Sequence, residues 1–247
     1  MSKTRLVQQG EHLSGIAAQE GFANFHTIWD RPENEELRSS LHRDPHVLFP
    51  GDSLFVPDRE DREESRATDA SHTFQTEIRP LFLRVKLLDI NGDPIAGANS
   101  NVTIDGAAAP DVASGGDGVV EQRIGRTATT AELTVHLPPA DDGPPDPTWK
   151  LPVKIGSLNP VTKCSGQQAR LNNMGYFAGF SVKDLEQLVW AAEEFMCDQT
   201  HARVTARPKL AAPPKEGEDD PATSQPEAET GVLDKAIRDK LKTAHGF

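Results

Sequence analysis

Residues 6–57, LVQQGEHLSGIAAQEGFANFHTIWDRPENEELRSSLHRDPHVLFPGDSLFVP, decide the fold of the first part of the chain. A short apolar strand at Leu6 and Val7 runs into Gly10, and Leu13, Ile16, Ala17 and Glu20 follow at helical spacing. The spacing predicts a helix over 11–20, stopped by Gly21 just past its end. A second helical piece, the turn Pro50-Gly51-Asp52 and a closing strand complete a small domain in about 50 residues. Leu13, Ile16, Ala17 and Trp29 are its expected core.

This stretch resembles the LysM family. The likeness lies in the pattern Q-x-G-(D/E)-x-L-x-x-I-A, then N, then P-x-x-L-x-P-G-x-x-L-x-(V/I)-P. It is carried by Val7, Gln9, Gly10, Glu11, Leu13, Ile16, Ala17, Trp29, Asn34, Leu48, Pro50, Gly51, Leu54, Val56 and Pro57. The resemblance implies a βααβ module over 1–58 and a ligand built of N-acetylglucosamine, such as peptidoglycan or chitin. It also implies where the sugar sits: the turn after the first strand (Gly10, Glu11, His12, Leu13) and the loop before the last (Phe49, Pro50, Gly51, Asp52). Gly10 and Gly51 allow tight turns with exposed main-chain groups, which suits N-acetyl recognition. The same glycines would be needed for the turns alone, so both readings stay open.

Composition narrows the partner. A formal net charge of -12 over 247 residues works against a phosphate-backbone partner, which needs clustered Lys and Arg, so no nucleic-acid partner is expected. No apolar run approaches the ~20 residues of a membrane-spanning helix, so no membrane insertion is expected either. The first apolar residues already belong to the strand at Leu6, which leaves no signal-peptide core. The expectation is synthesis in the cytoplasm, with any action at the envelope requiring a carrier that needs no signal peptide.

Beyond the first module, 59–75 is charged and aperiodic and reads as a linker. Residues 76–140 read as a small immunoglobulin-like β-sandwich. Phe82, Arg84 and Lys86 alternate with Leu83, Val85 and Leu87, Asn91 to Pro94 carry turn chemistry, and further strands fall near 101–105, 119–124 and 131–137. The phrase D-x-N-G-x-P-I-x-G-A resembles the first hairpin of carboxypeptidase-regulatory-like modules. Asp89, Asn91 and Asp93 mimic the start of a calcium loop, but Pro94 and Ser100 stand where such a loop needs Gly and Glu. Residues 141–154 read as a Pro-rich linker with one extended segment, 149–155, placed either to pair back with the β-module or to seal the next one, and Trp149 is expected to pack.

The last part, 155–247, reads as three helices. Ser165 with Gln168 predicts a capping box for a helix over 166–174 ended by Gly175, and Ser181 with Asp184 caps a second. The second helix shows an apolar face of Val182, Leu185, Leu188, Val189, Ala192, Phe195 and Met196, and a third, over 233–244, carries Leu233, Ala236, Ile237, Leu241 and Ala244. The phrases at 166–176, 191–195 and 230–241 resemble the peptidoglycan-binding domain superfamily. Departures are the missing D-G-x-F-G segment, with Phe177 to Phe180 in its place, Ile237 for the usual Thr, and Phe195-Met196 for the usual Phe-Gln. An acidic, Pro-rich insertion at about 200–229 reads as disordered.

Catalytic patterns are missing from the sequence. It holds no H-E-x-x-H, Cys-x-x-Cys, Walker loop or G-x-S-x-G, and no cofactor is implied. His42 and His46 are separated by the helix-breaking Asp44-Pro45, which argues against a metal site. Cys164 and Cys197 fall at helix ends that would meet in an antiparallel pair, so a disulfide and two buried thiols both remain open.

The expectation is therefore a multi-domain α+β protein and a non-catalytic, peptidoglycan-binding adaptor. Its architecture resembles accessory proteins of contractile injection and type VI secretion systems, which implies a spike or effector protein as a further partner. A wall hydrolase with an unrecognised site and a structural spike or baseplate protein without glycan binding are the alternatives.

Overall fold

The computed structural model describes residues 2–41, 43–59, 65–73, 80–89, 91–137, 147–200, 208 and 233–246. His42, parts of both predicted linkers and nearly all of the predicted insertion lie outside the described residues. The chain is a mixed α+β fold of antiparallel sheets and, among the described residues, six α-helices. Two compact units share it: residues 1–5, 9–36 and 54–157, and residues 6–8, 37–53 and 158–247.

Strand β1 (Lys3–Leu6) pairs with β2 (Ser53–Val56), mostly within the first unit, which also holds α1 (Leu13–Gln19), α2 (His26–Trp29) and a 3-10 turn (Pro32–Asn34); α3 (Glu35–Ser39) follows, its last three residues belonging to the second unit. Helix α1 starts two residues later than its apolar spacing predicts. His12 is its N-cap, in extended backbone, and its Nδ1 accepts from the Gly15 N–H at 3.3 Å. The end is as expected: Gly21 adopts φ +79°, its N–H reaches Ala18 O at 3.1 Å, and the Phe22 N–H reaches Ala17 O at 2.8 Å, the paired bonds of a Schellman stop. Leu13, Ile16, Ala17 and Trp29 are all buried, the two larger aliphatics contributing about 1.5–3 kcal/mol each. Asn34 ties the module together: its Nδ2 donates to Ile28 O (2.8 Å) and Phe55 O (2.9 Å), and its Oδ1 accepts from the Phe55 N–H (2.8 Å).

The first unit also holds β3 (Leu81–Lys86), β4 (Asn99–Ile104), β5 (Ala107–Ala108), β6 (Val112–Ala113), β7 (Val119–Ile124), β8 (Thr130–His136) and β9 (Thr148–Lys154). Strand β3 pairs antiparallel with β7, while β5, β4, β8 and β9 line up in that order with β6 on β4. Leu87 and Val120 on the side of the first sheet, and Ala98, Val102, Leu133 and Val135 on that of the second, bury one shared core. The 149–155 segment is thus not a loose link: β9 pairs with β8 from Thr130↔Lys154 to His136↔Thr148. Trp149, expected to pack, is 42% exposed on this edge strand. Asp89 closes the Asn91–Pro94 turn by accepting the Asn91 and Asp93 N–H groups, each at 2.8 Å.

In the second unit α4 (Cys164–Asn173), α5 (Leu185–Thr200) and α6 (Lys235–His245) enclose a core of Leu171, Leu188, Ala192, Phe195, Leu233, Ile237 and Leu241. The predicted capping box is absent. Helix α4 begins at Cys164 with Lys163 as a cap that offers no side-chain bond, and Gln168 turns instead to Ala178 O (3.0 Å) and Ser181 O (2.7 Å). Val182, Ala236 and Ala244, predicted on apolar helix faces, are exposed. No disulfide joins Cys164 and Cys197; both are thiols.

Candidate functional site

The turn Gly10 to Leu13 belongs to the first unit. Gly10 takes φ +89°, the left-handed conformation that leads the chain from β1 into the N-cap. The Glu11 carboxylate is held by the Arg5 guanidinium, which also reaches Glu20 at 3.1 Å and so pins β1 to both ends of α1. His12 is 6% exposed and Leu13 fully buried, so neither side chain can meet a sugar. What remains of this predicted half-site is main chain at Gly10 and Glu11.

That main chain meets the segment after β9. A Cβ on Gly156, which sits at φ +74°, would lie 2.5 Å from Gly10 O and 3.0 Å from His12 Cδ2. Gln9 Nε2 donates to Ser157 O at 3.4 Å. The loop after β7 makes a second contact with α1: a Cβ on Gly15 would stand 3.2 Å from Arg126 O, and Arg126 Nη1 donates to Phe22 O (2.8 Å) and Ala23 O (3.0 Å).

The loop Phe49 to Asp52 belongs to the second unit. Asp52 is buried and takes a two-point ion pair from Arg43, Nε to Oδ2 at 2.8 Å and Nη2 to Oδ1 at 3.1 Å. Its Oδ2 also accepts the Phe49 N–H at 2.8 Å, and the Gly51 N–H donates to Val7 O at 2.9 Å. Arg43 and Lys163 lie over the Phe49 ring, Lys163 Nζ at 4.6 Å from its centroid. Pro50 and Gly51, the latter at φ +95° and exposed, form the open tip. In both loops most polar groups are therefore spent on the chain itself.

Three features went unseen in the sequence. A cleft of about 440 Å³ in the first unit is lined by Lys3, Glu20, Phe22, Val56, Pro57, Asp58 and Arg59, none of them predicted site residues. Lys3 bonds Glu20 at 2.9 Å and holds its carboxyl below the usual range. In the second unit Phe177 and Phe180 stand 63% and 86% exposed with ring centroids 5.7 Å apart, edge to face. Finally, Arg170 is 1% exposed, with Nη1 donating to Asn159 O and Gly166 O, both at 2.8 Å; burial lowers its pKa to about 10. The cleft joins residues distant in sequence and left no local signal, whereas Phe177 and Phe180 lie three residues apart and could have been flagged as a short aromatic pair.

Among the described residues no three His, Cys, Asp or Glu side chains gather as a metal site requires, and no helix is long and apolar enough to cross a membrane. No protein-family model matches the chain, and no curated protein or solved structure does.

Proposed function

We propose that the chain is a non-catalytic adaptor built from cell-wall-type modules, with peptidoglycan as its glycan ligand and a spike or effector of a contractile injection system as its protein partner. The observation that carries this reading is the element order strand, helix, helical pieces, strand, with β1 and β2 paired and left-handed glycines at both predicted sugar turns. That order supports the LysM resemblance. The three helices around one core in the second unit support a peptidoglycan-binding-type module in the same way. Two linked weak modules raise effective concentration at a polymeric wall, so the chain binds by avidity and cuts nothing. The exposed Phe177 and Phe180 rings supply an apolar contact for the protein partner.

A second reading has its own support: a structural adaptor without glycan affinity, favoured by the polar groups of both loops being engaged internally. Co-sedimentation of the full chain with purified sacculi, with turbidity followed in the same sample, separates the readings. Saturable binding at steady turbidity is the expected result. Falling turbidity would establish a hydrolase, and no binding at any concentration, by wild type or by the released variant described below, would leave the structural adaptor.

A further inference from the structure

We infer that Gly156 and Ser157, the first residues of a strap over 156–163, mask the candidate glycan turn at Gly10 and must be displaced before sugar is bound. This rests on the glycan reading above and adds regulation to that site. The segment is Gly-Ser-Leu-Asn-Pro-Val-Thr-Lys, irregular in conformation, between β9 and α4. Its first two residues lie on the Gly10 turn. Gly156 approaches so closely that a Cβ there would meet Gly10 O, a main-chain carbonyl of the predicted sugar turn, at 2.5 Å. Gln9 fastens Ser157 from the turn side. In the second unit its last residue, Lys163, covers the Phe49 ring.

The strap is held by named bonds. On the β9 side the Ile155 N–H donates to Thr129 O at 2.8 Å. On the helix side Arg170 holds Asn159 O and Gln167 Nε2 holds Val161 O, each at 2.8 Å, while Gly166 lacks the Cβ that would meet Pro160 O at 2.0 Å. Buried side chains clamp the helix end, whereas the Gly10 end is held by one 3.4 Å bond and close packing. The end over the sugar turn is the weaker one. A site competent in only a tenth of molecules binds about tenfold more weakly than the uncovered site.

The test uses the full chain with Gly156→Asn, since Asn accepts positive φ while its Cβ still collides with Gly10 O. Gly175→Asn is the control: φ is +94° and a Cβ there meets nothing within 4 Å. Gln9→Ala removes the bond to Ser157 without backbone strain. Amide exchange at residues 10–13 and binding of N-acetylglucosamine hexamer are measured for each, with circular dichroism to confirm folding. The expected result is exchange and affinity both raised about tenfold in Gly156→Asn and about two- to threefold in Gln9→Ala, with neither changed in Gly175→Asn. Unchanged exchange in Gly156→Asn, or faster exchange with affinity equal to wild type, overturns the strap and leaves the glycan reading to the wild-type binding data. Faster exchange with no hexamer or sacculus binding by any variant overturns the strap and the glycan reading together.

Discussion

Replacing Asn34 with Ala tests how the first module is held. The side chain is 1% exposed and makes three bonds of 2.8–2.9 Å, two of them to the N–H and C=O of Phe55 in β2. It therefore acts as a strand neighbour for β2, supplied by a single amide. Truncation takes the Asn34 partner from the Phe55 N–H and C=O, at about 1–3 kcal/mol each when buried and partly relieved by relaxation and water entry, while Ile28 O keeps the Arg31 N–H at 3.3 Å. The expected loss is about 3–4 kcal/mol, a large part of the ~5–15 kcal/mol that stabilises a domain. Urea unfolding followed by Trp29 fluorescence reads it, in a Trp149→Phe, Trp190→Phe background, because those two rings are 42% and 57% exposed while Trp29 is buried. Asn34→Asp should be worse at pH 7 than at pH 4, since an ionised carboxylate would face two carbonyl oxygens and only the protonated form can donate to one. A loss under about 1 kcal/mol in Asn34→Ala would refute the argument that these bonds hold β2.

Asp52→Ala should cost about 3–5 kcal/mol in urea unfolding, because it strands the buried Arg43 guanidinium; Arg43→Met with Asp52→Leu should recover much of that. Gly166→Ala places a Cβ 2.0 Å from Pro160 O and should lower stability by about 3 kcal/mol, read by the helical signal at 222 nm. His245 is held neutral by burial and by the Arg170 charge, its pKa lowered to about 4. Since the unfolded chain takes up that proton near pH 6.5 and the folded chain does not, stability should fall between about pH 6.5 and about pH 4, by on the order of 1–3 kcal/mol. An identical pH slope in His245→Gln would exclude this cause. Phe180→Ser, at an 86% exposed site, should shift stability by less than about 0.5 kcal/mol while weakening capture of the proposed spike or effector partner.

Local requirements were legible in the sequence and distant ones were not. Gly21 and Gly175 end their helices as predicted, because a left-handed residue past the cap is demanded by the helix itself. The start of α1 was misread because histidine is an unusual cap and works here through Nδ1. The Ser165/Gln168 capping box failed for the opposite reason: Gln168 is drawn away by the carbonyls of Ala178 and Ser181, a tertiary claim stronger than the local one. Strands β7 and β8 fall where the sequence placed them, and the extended segment 149–155 pairs back with the β-module, one of the two placements open to it, whereas the approach of Gly156 to the Gly10 turn joins residues whose separation leaves no periodic trace.

The residues that carry the two family resemblances are largely those the fold has already employed. In the phrase 166–176, Gly166 admits the Pro160 carbonyl, Gln167 bonds Val161 O and the Leu233 N–H, and Arg170 bonds Asn159 O. Asn172 holds both Ala178 N–H and Gly179 O. Asp52 likewise orders the Pro50-Gly51 turn while its own oxygens are occupied. Such positions transmit packing and turn geometry, so a likeness at them speaks for the fold more strongly than for a ligand. The proposed recognition then falls to atoms the fold leaves over, the main chain at Gly10 and Gly51 and the rings of Phe177 and Phe180. Of these the Gly10 turn is the one lying under Gly156, which is why the proposed control of the proposed glycan binding is placed on the strap rather than on any side chain of the motif.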